Sequence, residues 1–335
     1  YKIFNLADPV DASDATNKQY VDDLIASISG GSGGIGDDLS LNGYLQVSGY
    51  GLFKSDVSIN GDLDISEKLS ANGGTASGDH SVALGVDTTA SGDHSVALGV
   101  DTTSSGEAST AMGSGTDASG NYSIAIGSTA KAYRNYSIAM GRSTTASGEA
   151  SIAMGRDTIA SGENSFAIGR ATTASGEASI AIGRATTASG EASTAMGYGT
   201  DASGNYSTAM GYNTDTYGGY STAMGSGTKA YGDYSTAIGR GTEAYGLNST
   251  AMGYGTDASG NYSTAMGEDT TASGNYSTAM GRGTKAYGEA STAMGRDTIA
   301  SGDYSTAMGR NTTASGENST VMGKYNDVSD ALFVI

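Results

Sequence analysis

Two histidines, His80 and His94, stand fourteen residues apart, each inside the phrase Gly-Asp-His-Ser-Val-Ala-Leu-Gly. Imidazoles at a fixed spacing can ligate a divalent metal when cysteines or carboxylates complete the shell. Cysteine is absent and no carboxylate motif surrounds the pair, so both read as surface residues and no metal site is expected. The chain also lacks a nucleophile and base arrangement, a Walker phosphate loop and an acid/base carboxylate pair. No catalytic residue and no cofactor are expected, and the protein reads as something other than an enzyme.

Charge chemistry is better organised. Arg142, Arg156, Arg170, Arg184, Arg240, Arg282, Arg296 and Arg310 share one phase of a fourteen-residue period. Seven residues after them stand Glu149, Glu163, Glu177, Glu191, Leu247, Glu289, Asp303 and Glu317, so seven of the eight arginines have an acid at that offset. Tyr198 and Tyr254, in the arginine phase, are followed instead by Asn205 and Asn261. The two columns are expected to touch, within a turn or across to the next chain, as surface ion pairs. Exposed pairs contribute only about 0 to 1 kcal/mol each, so their use is to fix register and partner choice rather than stability. An anionic-ligand site is the rival reading.

Tyrosines form two more columns. Tyr122, Tyr136, Tyr206, Tyr220, Tyr234, Tyr262, Tyr276 and Tyr304 precede a serine, and Tyr133, Tyr217, Tyr231, Tyr245 and Tyr287 sit beside a turn position. Such rings could hold sugar faces; the alternative is an aromatic ladder that stiffens the shaft. Asn121, Asn135, Asn205 and Asn261 open Asn-x-Ser sequons, which matter only in a eukaryotic secretory pathway.

The element that positions all these columns is a repeat. Steps of fourteen from Gly85 land on glycine through Gly99 and Gly113 to Gly323, eighteen copies without insertion or deletion. Ser81 and its equivalents are always serine, and Ala83 is alanine until Val321. The consensus is Ser-x-Ala-(Met/Ile/Leu)-Gly-x-x-Thr-x-Ala-(Ser/Tyr)-Gly-x-x. With 53 glycines, one proline and no tryptophan, a bulky globular core is excluded and repetition must supply stability. A net charge of -18 argues against a nucleic-acid partner, which would need clustered cations. No apolar run is long enough to span a bilayer, so no membrane insertion is expected in this region.

Fourteen residues suit two short strands and two tight turns, and eighteen coils at strand spacing give a rod roughly 85 Å long. Gly85 and Gly92 are expected where the chain reverses, with positive φ. Alternation puts Ser81, Ala83 and Gly85 on one face and Val82 and Leu84 on the other. Only the small face fits between closely spaced strands, so the large residues must point outward. The outward ladder is Leu84, Leu98, Met112, Ile126, Met140, Met154, Ile168, Ile182, Met196, Met210, Met224, Ile238, Met252, Met266, Met280, Met294, Met308 and Met322. Burying each is worth about 1.5 to 3 kcal/mol, so a stripe of this length predicts an obligate oligomer with the ladder facing its axis. The rival is a wide solenoid with the ladder inside.

Repeats written Ser-Val-Ala-Leu-Gly, Ser-Ile-Ala-Ile-Gly, Ser-Ile-Ala-Met-Gly and Ser-Thr-Ala-Met-Gly resemble the YadA-like head repeats of trimeric autotransporter adhesins, over residues 75–323. The resemblance implies an all-β, left-handed parallel β-roll, a solenoid assembled as a homotrimer. Residues 1–30 resemble a neck with a short coiled-coil helix, whose seam is Val21, Leu24, Ile25 and Ile28. Asn5, Leu6, Asp8, Pro9, Ala15, Thr16, Lys18, Tyr20, Val21 and Asp22 are also similar to a signature of phage tail fibres. A Gly-rich linker follows at 31–37, then 18-residue β-repeats at 38–74, like those of fibre proteins of phages and large algal viruses, and after the roll a closing, truncated strand at 324–335.

The expectation is a structural, trimeric viral fibre or spike shaft on the virion surface, a rigid spacer that supports attachment to a host cell surface, where glycans are one possible contact. A bacterial trimeric autotransporter head that binds cells or matrix from the cell surface is the alternative. An ice-binding solenoid, built on the Thr88 column, is a third class.

Overall fold

The computed structural model describes residues 68–328 and the strand Phe333–Val334. The expected coiled-coil seam, the Gly-rich linker and most of the 18-residue repeats lie outside the described residues. Chain contacts separate Tyr1–Leu63 from Asp64–Ile335, and everything described here belongs to the second unit.

Each repeat makes one coil from a five-residue strand and a two-residue strand, Val82–Val86 and Thr89–Ala90 in the first copy. Two glycines in every fourteen residues, with serine and threonine between them, disfavour helix, and none forms among the described residues. The long strands pair in parallel with a fixed step of fourteen: Val82 lies beside Val96, Leu84 beside Leu98, and so on to Thr306 beside Thr320. The short strands do the same, Thr89 beside Thr103 and Ala90 beside Ser104. Two parallel ladders run the length of the unit, and each strand pairs only with its equivalents one coil before and after. The expected all-β solenoid is observed.

The stack extends past the strict repeat at both ends, each time through a step of thirteen. Leu69–Ala71 pairs with Val82–Leu84, so the coil begins before residue 75. Phe333–Val334 pairs with Thr320–Val321 after the phase breaks. At each end one residue is dropped between the paired strands while parallel pairing is kept.

The interior is a thin line of small side chains. The Ala83, Ala90, Ser81 and Thr88 columns are buried, at 0 to 1% exposure, and the largest fully buried side chain is Val321 in the final copy. Alanine brings little apolar area, so cohesion rests on the coil-to-coil backbone ladder, with bonds such as Val82 N–H to the Ser95 carbonyl at 2.9 Å and Thr75 N–H to the Thr88 carbonyl at 2.8 Å. Stability of this kind is a sum of nearest-neighbour terms. Some of the buried serine hydroxyls close their corners: Ser81 Oγ donates to the Gly78 carbonyl at 2.6 Å and Ser151 Oγ to that of Gly148 at 2.7 Å. Where the Ala90 column gains a hydroxyl, that column supplies the partner, as Thr216 Oγ1 donates to Ser207 Oγ at 2.9 Å.

The glycines act differently from the sequence expectation. Gly85 lies within the long strand, at φ 132°, rather than at the reversal, and a Cβ there would overlap the Gly99 carbonyl oxygen. Gly92 is at a corner but is required by space, because its Cβ would strike the backbone of Gly106. The left-handed corner positions fall on the Asp87 and His94 columns, at φ 53° and 58°. Eight tyrosines, from Tyr122 to Tyr304, occupy that second column.

Candidate functional site

The long strands present their large residues to the outside. Every member of the ladder from Leu84 to Met322 is half-buried or exposed and none enters the coil; Met112, Met196, Met224 and Met252 are each 37% exposed. The wide-solenoid alternative is excluded, since the interior holds only the small columns. Beside the ladder runs a second outward column at the Val82 position, which reads Ile124, Ile138, Ile152, Phe166 and Ile180 in the earlier coils and threonine from Thr194 to Thr320. The apolar face is two residues wide in its first half and flanked by threonine in its second.

The arginine column ends the long strands, and the acidic column stands in the turn that leads into them. Arg142, Arg156, Arg170 and Arg184 occupy four successive coils side by side, and Arg282, Arg296 and Arg310 are followed by Lys324 in four more. Glu149, Glu163, Glu177, Glu191, Glu289, Asp303 and Glu317 are exposed. Two unit charges one coil apart repel by roughly 1 kcal/mol in water, so each ladder of like charge is unfavourable by itself. Within the chain, the arginines meet other acids: Arg156 with Asp157 at 3.4 Å, Arg296 with Asp297 at 3.3 Å and Arg282 with Glu268 at 3.7 Å. Among the described residues, none of the seven expected pairs forms an ion pair within one chain. The within-turn contact is thereby corrected. The columns stand at opposite ends of a five-residue strand, which spans about 13 Å.

Cationic side chains also stack on the tyrosines that interrupt their column, with Arg184 over Tyr198 at 5.3 Å and Arg240 over Tyr254 at 5.6 Å. Many of the other tyrosines stack on one another. Tyr206, Tyr220 and Tyr234 form one run and Tyr217, Tyr231 and Tyr245 a second, with centroids 4.5 to 5.0 Å apart and rings within 8° of parallel. The faces of the middle rings are therefore covered by their neighbours, which favours the stiffening ladder over a platform for sugar faces. Tyr206 donates from its hydroxyl to Glu191 at 2.6 Å, and Tyr245 to Glu243. These carboxylates hold the two phenols above their usual titration range.

On the short-strand side Asp117, Asp201, Asp215 and Asp257 are all pushed above the ordinary carboxylate range, in each case chiefly by burial, with the charge of Asp215 adding to the effect at Asp201. His80 and His94 stack at 5.1 Å, and among the described residues no group of three or more metal-ligating side chains occurs. The sequon asparagines serve the ladder: Asn121 and Asn205 each accept, through Oδ1, the backbone N–H fourteen residues earlier. The Thr88 column lies inside the coil, so the ice-binding expectation loses the flat exposed threonine ladder on which it was built.

Sequence reasoning put the outward ladder, the charge columns and the tyrosine columns on the surface, and their members are exposed or half-buried in the single chain. It missed that the arginines and acids border opposite ends of one strand, although the two-residue gap between Glu149 and Ile152 carries that information.

Comparison with protein families finds the YadA head domain repeat, two copies at a time, in a series of matches that runs from residue 76 to residue 326, with successive windows such as 76–102, 90–116 and 300–326. Comparison with curated proteins finds no match.

Proposed function

The chain belongs to the YadA head domain repeat family, and from that premise we propose that it is a non-catalytic, homotrimeric fibre shaft that stands on a biological surface and supports attachment to a host. The observation that carries this is the uninterrupted outward ladder from Leu84 to Met322 on a coil with no bulky core of its own. A single coil column cannot bury that stripe; three columns around a common axis can. Two ladders of backbone hydrogen bonds, paired at every coil, make the column stiff and leave few loops for proteases, which suits a spacer. Three parallel copies then present whatever the fibre carries with the gain in avidity that multivalency supplies.

The carrier we propose is a virus particle. The support is the Asn5 to Asp22 signature and the Asn-Gly strand repeats at 38–74, both similar to viral fibre segments. A bacterial cell surface, carrying the chain as the head of a trimeric autotransporter adhesin, is the second carrier that the YadA head repeats allow. Immunogold electron microscopy with antibodies raised against residues 75–323 separates them. Label on particle fibres, with antibody blocking adsorption to host cells, is expected. Label confined to a bacterial envelope would move the protein to the adhesin reading, and label on no surface would contradict both.

A further inference from the structure

The outward face of the long-strand ladder is bordered by opposite charges on its two margins. Four arginines from Arg142 to Arg184 close successive strands at one margin, and the acids from Glu149 to Glu191 stand in the turns at the other. The pattern recurs near the end of the roll, where Arg282 to Arg310 face the phase of Glu289, Asp303 and Glu317. Between the margins lie the paired apolar columns, such as Ile152 with Met154. Each margin repels itself, and one strand's length separates the two within a chain.

We infer that the basic margin of one chain docks along the acidic margin of a second copy of the same chain, in parallel orientation, with the apolar stripe closed between them. Symmetry decides the orientation. Rotation about the axis of the stack, as in any closed cyclic ring, brings the trailing margin of one copy against the leading margin of the next. Antiparallel face-to-face packing would set arginine on arginine and glutamate on glutamate. The sequence departs from the charge pattern in a partly coordinated way: Tyr198 and Tyr254 replace arginine where Asn205 and Asn261 replace the acid, and Glu268, the acid in the basic column, is matched by Asn275, whereas Arg240 is followed by Leu247, and Asp93, Glu107 and Asp233 follow Val86, Val100 and Ser226. Three aligned copies in one register would explain why seven of the eight arginines keep an acid at an offset that forms no ion pair within a chain. The charge margins thus act as a register code along the shaft, and as a barrier to antiparallel association.

The inference rests on the homotrimer proposed above, and the test separates the two. The protein has no cysteine, so introduced pairs report cleanly. The full chain carrying Arg170→Cys together with Glu177→Cys is treated with a bis-maleimide whose reach is about two coil spacings, roughly 10 Å. Covalent trimers are expected from the double variant, and neither single variant should give covalent dimers above background. Met154→Cys serves as the control for the apolar face. Cross-linking of Met154→Cys without cross-linking of the double variant would overturn the docking of opposite margins while leaving the oligomer intact. Dimers from Arg170→Cys alone would overturn it in favour of antiparallel packing. A monomeric mass with no cross-link from any variant would remove the oligomer and the inference together.

Discussion

Gly183 and Gly197 lie in adjacent coils so close that a Cβ on the first would overlap the carbonyl oxygen of the second, and Gly183 holds φ at 132°. One missing carbon therefore sets the approach of the two coils. The same relationship holds between Gly85 and Gly99 and along the column, which is why glycine never yields there.

Gly183→Ala should be strongly destabilising at its own coil. Overpacking costs about 1 to 3 kcal/mol and the unfavourable φ adds to it. Because each coil is held only by its neighbours, the damage should stay local. Hydrogen exchange should show protection lost for the coils either side of residue 183 and kept near residue 100; uniform loss along the chain would contradict the nearest-neighbour account.

Met154→Lys should separate assembly from folding. The residue points out of the coil, so the β-sheet signal in circular dichroism should survive. In the proposed trimer each copy would lose roughly 1.5 to 3 kcal/mol of apolar burial and bring a charge to the axis. Dissociation should appear on dilution by size-exclusion chromatography, whereas loss of the β signal would mean that Met154 is needed inside the fold.

Asp201 and Asp257 titrate above their unfolded range because burial opposes their charge. The folded chain then binds more protons than the unfolded one just above about pH 4, so their contribution to stability falls as pH rises through the folded values and stays low at neutrality. Asp201→Asn with Asp257→Asn should melt higher than the parent at pH 7. The difference should shrink toward pH 4, and melting curves taken across that range check it; a constant difference would point to another cause.

Tyr220 sits between Tyr206 and Tyr234 with φ at 57°. Tyr220→Ala removes two stacked contacts worth about 0.5 to 1.5 kcal/mol each. Tyr220→Gly loses the same contacts but relieves a left-handed conformation that costs other residues about 1 to 2 kcal/mol. The glycine variant should therefore melt above the alanine variant. Glycan-array signals, where present, should be unchanged in both, because the middle ring has no free face.

The strict period, the alternation within Ser81–Gly85 and the sizes of Ala83 and Leu84 made the coil, its parallel stacking and its outward ladder legible in the sequence. The role of Gly85 was not, because the clash it avoids is with the next coil and leaves no local mark. Nor was the inward direction of Thr88: its neighbours alternate, but the left-handed Asp87 resets the phase of the strand that follows. The Arg142 and Glu149 columns were visible as correlated, yet their separation by the breadth of a strand became clear only once the strand ends were placed. Correlation gave a contact; within one chain the expected pairs do not form, and the proposed docking of margins assigns the contact to a second chain.

The central claim is that the outward ladder is covered by two further copies of the same chain. Sedimentation equilibrium of the full chain measures this directly: three chains of 33.3 kDa give about 100 kDa. A mass of about 100 kDa that falls for Met154→Lys is the predicted result, and a stable 33.3 kDa monomer at micromolar concentration would contradict the account.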